Sequence, residues 1–200
     1  EIVRRDRNHP SIVTWTPFNE TTVYIAPITH KRLHEDAYEI CKSLDPTRPV
    51  NDASGYVHHK TDIYTAHNYT QDPVAFKGLL ADQPEPGVFQ NFPERGTPYH
   101  GQPYVLDEFG GIKWDPATQR AEGMGEGQNP TSWGYGKAPQ SEEEFYARLE
   151  GLVAALHATP HIAGWCYTQL TDVEQEQNGI YFYDRGPKFD MERIRSIFQT

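Results

Sequence analysis

The sequence predicts an α/β fold whose strands run in one direction, as part of a (β/α)8 barrel. Short apolar runs alternate with amphipathic stretches along the whole chain, a rhythm that favours parallel α/β over a sandwich or a bundle. No glycine-rich phosphate loop follows any run, which removes the main reason to prefer an open doubly wound sheet. A complete eight-stranded barrel typically needs about 250 residues, whereas these 200 residues hold five runs and finish on a helix. The predicted unit is therefore a partial barrel, lacking strands on its N-terminal side.

Run one is Ser11 to Thr16, introduced by Pro10 and read as a buried strand. A helix follows over residues 29–44, with Leu33, Ala37, Ile40, Cys41 and Leu44 at helical spacing and Glu35, Asp36, Glu39 and Lys42 on the wet side. The segment "LDPTRP" stops it, because each proline disfavours helix at the preceding residue. Run two is Val50 to Ala53, closed by Ser54-Gly55. Run three, Asp62 to Tyr69, leads to Asp72-Pro73, an N-cap and first helical position for a short helix through Leu80. Run four is Pro103 to Glu108. The next helix starts at Ser141, with Glu144 three residues on as a capping box and Phe145, Leu149, Leu152, Val153 and Leu156 on one face. Run five is Ile162 to Thr168, and a last helix covers Met191 to Phe198. The connection from Gly110 to Gln140 is abnormal: about thirty residues rich in Gly, Pro and aromatics exceed ordinary loop lengths and predict a functional loop.

Charge and composition exclude several classes. A net charge of -10 spread along the chain, with no basic stretch interleaved with aromatics, argues against a nucleic-acid surface. The apolar runs are far too short to span a bilayer. No targeting segment is visible in "EIVRRDRNHP", which leaves cytoplasmic and secreted locations both open. Cys41 and Cys166 each lie in an apolar segment and read as small buried side chains.

Glu20 and Glu108 each follow a polar residue, Asn19 and Asp107, at the end of a strand-like run. In a parallel barrel the C-terminal strand ends converge, so residues remote in sequence become a pair. Two carboxyl groups flanking an anomeric carbon are what glycoside cleavage requires. A single strand-end glutamate can equally mark where a strand reaches solvent. Asp52, at the end of run two, could contact substrate hydroxyls but reads more readily as a solvated turn residue.

"RDRNHPSIVTWTPFNE" (Arg5 to Glu20) resembles the acid/base strand of glycoside hydrolase family 2, in which Arg-Asp-x-Asn-His-Pro-Ser-Ile leads to Asn-Glu. "LDPTRPV" and "PYVLDEFGG" resemble later motifs of the same family in the same order. The resemblance implies strands four to eight of the family's barrel, a single catalytic-domain fragment over 1–200 with 110–140 as its active-site loop. It implies a retaining β-glycosidase, with Glu20 as general acid/base, Glu108 as nucleophile and Asn19 on the sugar's 2-hydroxyl. His67 and Tyr69 match the family's histidine and aromatic positions on the sixth strand. The implied substrate is a β-galactoside, the family's commonest activity, with β-glucuronide and β-mannoside as alternatives. For a glucuronide, Lys113 or Lys137 would face the carboxylate. No cofactor is implied; some relatives bind Mg²⁺ or Na⁺, but this segment shows no ligand set for one.

Run five departs from the family. Aligned on Gly164 and Asp172, the better-known members place a tryptophan at Thr168 and an asparagine or aspartate at Gln169. Trp114 or Trp133 from the long loop would then supply the sugar platform, with Thr168 beside it. Glu174 and Glu176 read as loop charges.

Rival classes are weaker. His30 and His34, four apart on a helix, could chelate an ion but read as solvated, and no HExxH or Cys/His cluster exists. No Gly-x-Ser-x-Gly elbow is present. A non-catalytic carbohydrate-binding barrel would not need both glutamates and Asn19. Unpaired edges at runs one and five predict that the isolated chain needs the missing N-terminal strands or a homo-oligomeric partner, and is inactive alone.

Overall fold

The computed structural model describes residues 1–22, 26–81, 83, 87–116 and 132–199. Its elements are α1 (Ile2–Asp6), α2 (Pro27–Leu44), β1 (Tyr64–Asn68), α3 (Pro73–Ala81), β2 (Tyr104–Gly110), α4 (Glu142–His157), β3 (Ile162–Thr168) and α5 (Met191–Gln199). The strands form one parallel sheet in the order β1-β2-β3, with helices in the connections, as parallel neighbours require. By its contacts the chain divides into two compact units. The first is Glu1–His67, Gln83–Asp107 and His161–Gly164; the second is Asn68–Asp82, Glu108–Pro160 and Trp165–Thr200. The division falls inside each strand, so every strand gives its first residues to one unit and its last to the other.

In the first unit, runs one and two pair through two isolated parallel bridges, Trp15 with Val50 and Asn19 with Ser54, and not as continuous strands. Pro17 explains the interruption. It has no N–H to give, and it sits between the ladder bonds Asn51 N–H to Trp15 O (2.9 Å) and Ser54 N–H to Phe18 O (2.8 Å). The predicted buried strand is buried only at Trp15, while Val13, which precedes the first ladder bond, is 73% exposed. Val3, Trp15, Cys41 and Val50 form a core with Ile12, Tyr38 and Leu44 packed against it. Arg48 ties the chain start to this core by donating to the carbonyls of Ile12 (2.6 Å), Arg7 (2.8 Å) and His9 (3.0 Å) and to Asp45 Oδ2 (2.7 Å).

Helix α2 starts at Pro27, two residues before the predicted position, with proline at the site where a missing N–H costs nothing. Its buried face also differs from the predicted one. Leu33 and Ile40 are exposed, and His34 and Cys41 point inward. Polar partners turn the helix this way: His34 Nδ1 donates to Asp52 Oδ2 (3.0 Å), and Tyr38 Oη donates to Asp62 Oδ1 (2.6 Å).

In the second unit, Asp72 Oδ1 accepts the N–H of Ala75 (2.8 Å), capping α3 as its sequence predicts. Ser141 Oγ accepts the N–H of Glu144 (3.1 Å), while Glu144 Oε2 reaches back to the N–H of Gln140 (2.7 Å), one residue beyond the usual reciprocal partner. Helices α3 and α4 pack at Gly151, where an added Cβ would lie 2.7 Å from Pro73 Cγ. Phe145 and Phe189 stack at 4.1 Å, with Trp114 against both. Ile194 and Ile197 dock α5. Cys41 is buried as expected, but Cys166 is exposed. It lies on β3, an outer strand of the sheet order. Of the long loop, residues 117–131 lie outside the described ones. Its two described ends meet at the parallel bridge between Ile112 and Tyr135. No helix among the described residues is long and apolar enough to cross a membrane.

Candidate functional site

Glu20 ends the first interrupted ladder. Its N–H donates to Ser54 O (2.9 Å), and its backbone is left-handed, with φ 49°. A non-glycine residue in that region is uncommon and is held there by its surroundings. Asn19, the bridge partner of Ser54, has an exposed side chain. Glu20 Oε1 lies 2.7 Å from His67 Nδ1. The His67 side chain is 1% exposed, so its ring is enclosed by protein. It sits between carboxylates: Nε2 lies 3.0 Å from Ser54 Oγ and 3.2 Å from Asp107 Oδ1. Ser54 Oγ donates to Asp107 Oδ2 (2.7 Å). The Asp107 Oδ1 contact is at ion-pair distance but lacks hydrogen-bond alignment.

The room for this imidazole is made by Gly55. With φ 62° it tolerates a turn that other residues resist, and an added Cβ would lie 2.5 Å from His67 Cδ2. Asn91 then clamps the His67 backbone, accepting its N–H (3.0 Å) and donating to its carbonyl (2.8 Å).

Deeper in the same unit, Asp52 is fully buried and not the solvated turn residue predicted. Its carboxylate accepts from His34 Nδ1 (3.0 Å), His58 Nδ1 (2.7 Å) and the N–H groups of Ala53 (3.0 Å), His59 (2.7 Å) and Lys60 (3.2 Å). Burial would raise its pKa, but the bonds from His34 and His58 outweigh burial and hold the carboxyl well below its usual range. His34 is likewise no solvated helix residue. Its Nε2 lies 2.8 Å from Thr21 Oγ1, so both ring nitrogens are taken within the protein. Buried Asp52 and His34 therefore brace Thr21, the residue that follows Glu20.

In the second unit, the Tyr69 hydroxyl donates to Glu108 Oε2, and Thr168 Oγ1 lies 3.3 Å from the same hydroxyl. Burial, and then the bond to Glu108, push the phenol far above its ordinary pKa, so it stays a proton donor to the carboxylate. Tyr135 stacks on Tyr69 with ring centroids 3.5 Å apart and planes 2° from parallel. Gly111 permits the stack: its φ is 60°, and an added Cβ would lie 2.4 Å from Tyr135 Cδ2. Trp133 stands edge-on to Tyr135 at 5.9 Å and is 46% exposed, an open aromatic face. Trp114 is 5% exposed and packs on Phe145 and Phe189, so it cannot be the platform the sequence offered as an alternative. Lys113 Nζ donates to Ser132 O (2.8 Å), and Lys137 is exposed. Glu174 and Glu176 lie in a loop, with Glu176 accepting from Asn178 Nδ2 (3.0 Å). Ser54, Gly55, Asn91, Asp107, Gly111 and Tyr135 are the functional neighbours that sequence reasoning missed. The adjacent glycines of "ASG" and "FGG" were the available signal for two of them.

A family profile described as "Glycosyl hydrolases family 2, TIM barrel domain" matches residues 1–116, which include both glutamates. A curated relative, β-glucuronidase from Canis lupus familiaris, is 44% identical over 50 residues, 25% of this chain and 7% of that protein. Among solved structures, the β-D-glucuronidase of Dictyoglomus thermophilum matches 100% of this chain and 34% of its own, with TM-score 0.64 and 18% identity. The Faecalibacterium prausnitzii β-glucuronidase matches 99% of this chain and 33% of its own, with TM-score 0.64 and 20% identity. At those identities the likeness to solved structures is one of fold, and the chain spans about a third of each. The profile match covers more than half of the sequence, and the chain belongs to glycosyl hydrolases family 2 through its TIM-barrel domain.

Proposed function

We propose that this chain carries the two catalytic carboxyl groups of a retaining β-glycosidase, Glu20 as general acid/base and Glu108 as nucleophile. The carrying observation is that each glutamate has its own dedicated hydrogen-bond partner, His67 for Glu20 and Tyr69 for Glu108. A donor phenol on Glu108 favours its ionised form, as a nucleophile requires. The leaving oxygen takes a proton from Glu20 while Glu108 attacks the anomeric carbon. Water, deprotonated by Glu20, then releases the sugar. The reading requires the two carboxyl groups to flank one anomeric carbon, about 5–5.5 Å apart in a retaining pair.

β-Glucuronide replaces β-galactoside as the leading substrate, because the curated relative and the structural neighbours quoted above are β-glucuronidases. Lys113 and Lys137 are the cations this chain offers to a uronate. Asn19 is assigned to the 2-hydroxyl, and Trp133 with Thr168 to the sugar's surroundings. The chain forms strands four to eight of the barrel. Exposed Val13 on run one and exposed Cys166 on β3 support edges that further strands would cover.

A panel of chromogenic β-glycosides, tested on the full-length protein with Glu108→Gln as control, decides the matter. Preferential hydrolysis of the glucuronide, lost by about 10⁵-fold in Glu108→Gln, is expected. Turnover that survives Glu108→Gln would remove the assignment.

A further inference from the structure

We propose that Gln71 is a positioning residue for the Tyr69–Glu108 pair, joining the ends of β1 and β2 so that the phenol meets the carboxylate in one fixed geometry. The proposal rests on the reading of Glu108 as nucleophile.

Tyr69 directly follows β1 and Gly110 closes β2, two neighbouring strands of the sheet. Each contributes half of the pair, since the Tyr69 hydroxyl donates to Glu108 Oε2. At this end the Gln71 side chain links the two chain segments. Its Nε2 donates to the carbonyl of Tyr69 (3.0 Å) and to the carbonyl of Gly110. The partners decide which way the amide faces. A carbonyl oxygen only accepts, so the nitrogen must turn toward both, and its two hydrogens match the two acceptors. With the amide reversed, three oxygens would face one another with no proton between them.

The side chain is itself held. Gly136 has φ 66°, and an added Cβ would lie 2.4 Å from Gln71 Cγ, so the stem occupies the space that a side chain at this position would need. Arg148 Nη1 lies 3.4 Å from Gln71 Oε1, and the guanidinium is fixed by the Lys137 carbonyl (2.8 Å) and Glu144 Oε1 (2.9 Å). Tyr135 completes the arrangement: its N–H donates to Gly111 O (2.9 Å), while its ring stacks on Tyr69. Tyr69 is thus gripped at its carbonyl by Gln71 and at its ring by Tyr135. Gly110, two residues past Glu108, is tied to the same amide. Attack on an anomeric carbon tolerates little error in the attacking oxygen, and a misplacement of about 1 Å can cost about 10²-fold. Gln71 acts through the Tyr69 hydroxyl on Glu108, without itself meeting the reacting atoms.

The test uses the full-length protein and the preferred sugar of the panel above, carrying a poor aryl leaving group so that attack by Glu108 limits kcat. Gln71→Met keeps the length of the side chain and deletes both donors. Its kcat should fall about tenfold with KM within about twofold, because the loss falls on the bond-breaking step. Tyr69→Phe should lower kcat about 10²-fold. The double variant is the decisive one: added to Tyr69→Phe, Gln71→Met should cost no more than about twofold further, since the bond it positions is already gone. Losses that multiply to about 10³-fold, an unchanged kcat in Gln71→Met, or a rise in KM alone would overturn the role. Should Gln71→Met fold poorly, Gln71→Asn carries the same cycle. One methylene shorter, it cannot span both carbonyls; it should lower kcat about threefold alone and not at all beside Tyr69→Phe, and losses that multiply again overturn the role. Glu108→Gln separates the two failures. Turnover that survives it removes the nucleophile reading, whereas turnover lost in it beside independent effects at Gln71 and Tyr69 removes only the role of Gln71.

Discussion

Glu20 and Glu108 are held by different kinds of partner. Glu20 meets an imidazole backed by Ser54 and Asp107, in a unit whose deeper polar layer is again aspartate and histidine. Glu108 meets a phenol stacked on a second phenol and seated against Gly111. An imidazole offers two ring nitrogens to two partners at once, whereas a phenol gives its single proton to one carboxylate. The first surroundings suit a group that alternately gives and takes a proton. The second suit one that must stay ionised. The comparison can be broken by showing that the two sets of partners respond alike to substitution or to acid.

The largest effect is expected beneath Glu20. Asp52→Asn removes the charge to which His34 and His58 donate, at a position with no exposure. Removing one member of a buried polar pair typically costs about 3–5 kcal/mol. Hydrogen exchange should show amides of residues 50–67 losing protection before those of α4. Uniform loss across both units would mean that the brace is not local to the first.

Next comes Tyr69→Phe, which leaves the stack on Tyr135 and deletes the donor to Glu108. A fall in kcat of about 10²-fold is expected, the scale of losing one preorganised hydrogen bond at a reacting charge. Its melting temperature should fall by less than that of Asp52→Asn. A loss of stability as large as that of Asp52→Asn would erase the distinction between the two surroundings.

Those contrasts were only partly legible in the sequence. The strand-end glutamates, the Asp72 and Ser141 caps and the three sheet strands follow from local pattern, because capping and alternation act over a few residues. The partners do not. Ser54, Asn91 and Asp107 reach His67 from three separate places in the chain, and no spacing rule connects them. The face of α2 was misread for a related reason: Leu33 and Ile40 fit an apolar stripe, yet the inward face is chosen by the bonds of His34 and Tyr38 to Asp52 and Asp62. Trp114 and Trp133 are equivalent in sequence, and only packing against Phe145 and Phe189 separates the core residue from the open one.

Acid provides a milder test. Burial, followed by repulsion from His34 and His30, lowers the His59 pKa from 6.5 to about 4, and Asp52 is also held low. For a group depressed in the folded state, the unfolded chain takes up protons first as pH falls. The associated stability is therefore complete above pH 6.5 and lost on descending toward pH 4. The melting temperature should decline through that window, and His59→Gln should flatten the decline. His59 and Asp52 both lie in the first unit, so protection in the second unit should change less. A decline that His59→Gln left untouched would assign the acid sensitivity elsewhere.

The smallest effect is expected at Trp133. Its ring is 46% exposed, touches Tyr135 edge-on, and is fixed by backbone bonds from its own N–H to Gln175 O (2.8 Å) and from Gln177 N–H to its carbonyl (2.9 Å). Those bonds do not depend on the indole, so Trp133→Ala should leave the fold and the Tyr69–Tyr135 stack in place. A face that only packs on a sugar binds ground state and transition state alike, and its loss raises KM without lowering kcat. A rise in KM of up to about tenfold is expected, equivalent to about 1.4 kcal/mol, with kcat within about twofold of the parent. A fall in kcat at unchanged KM would show that the indole acts on the bond-breaking step, and would join it to the phenol pair that holds Glu108.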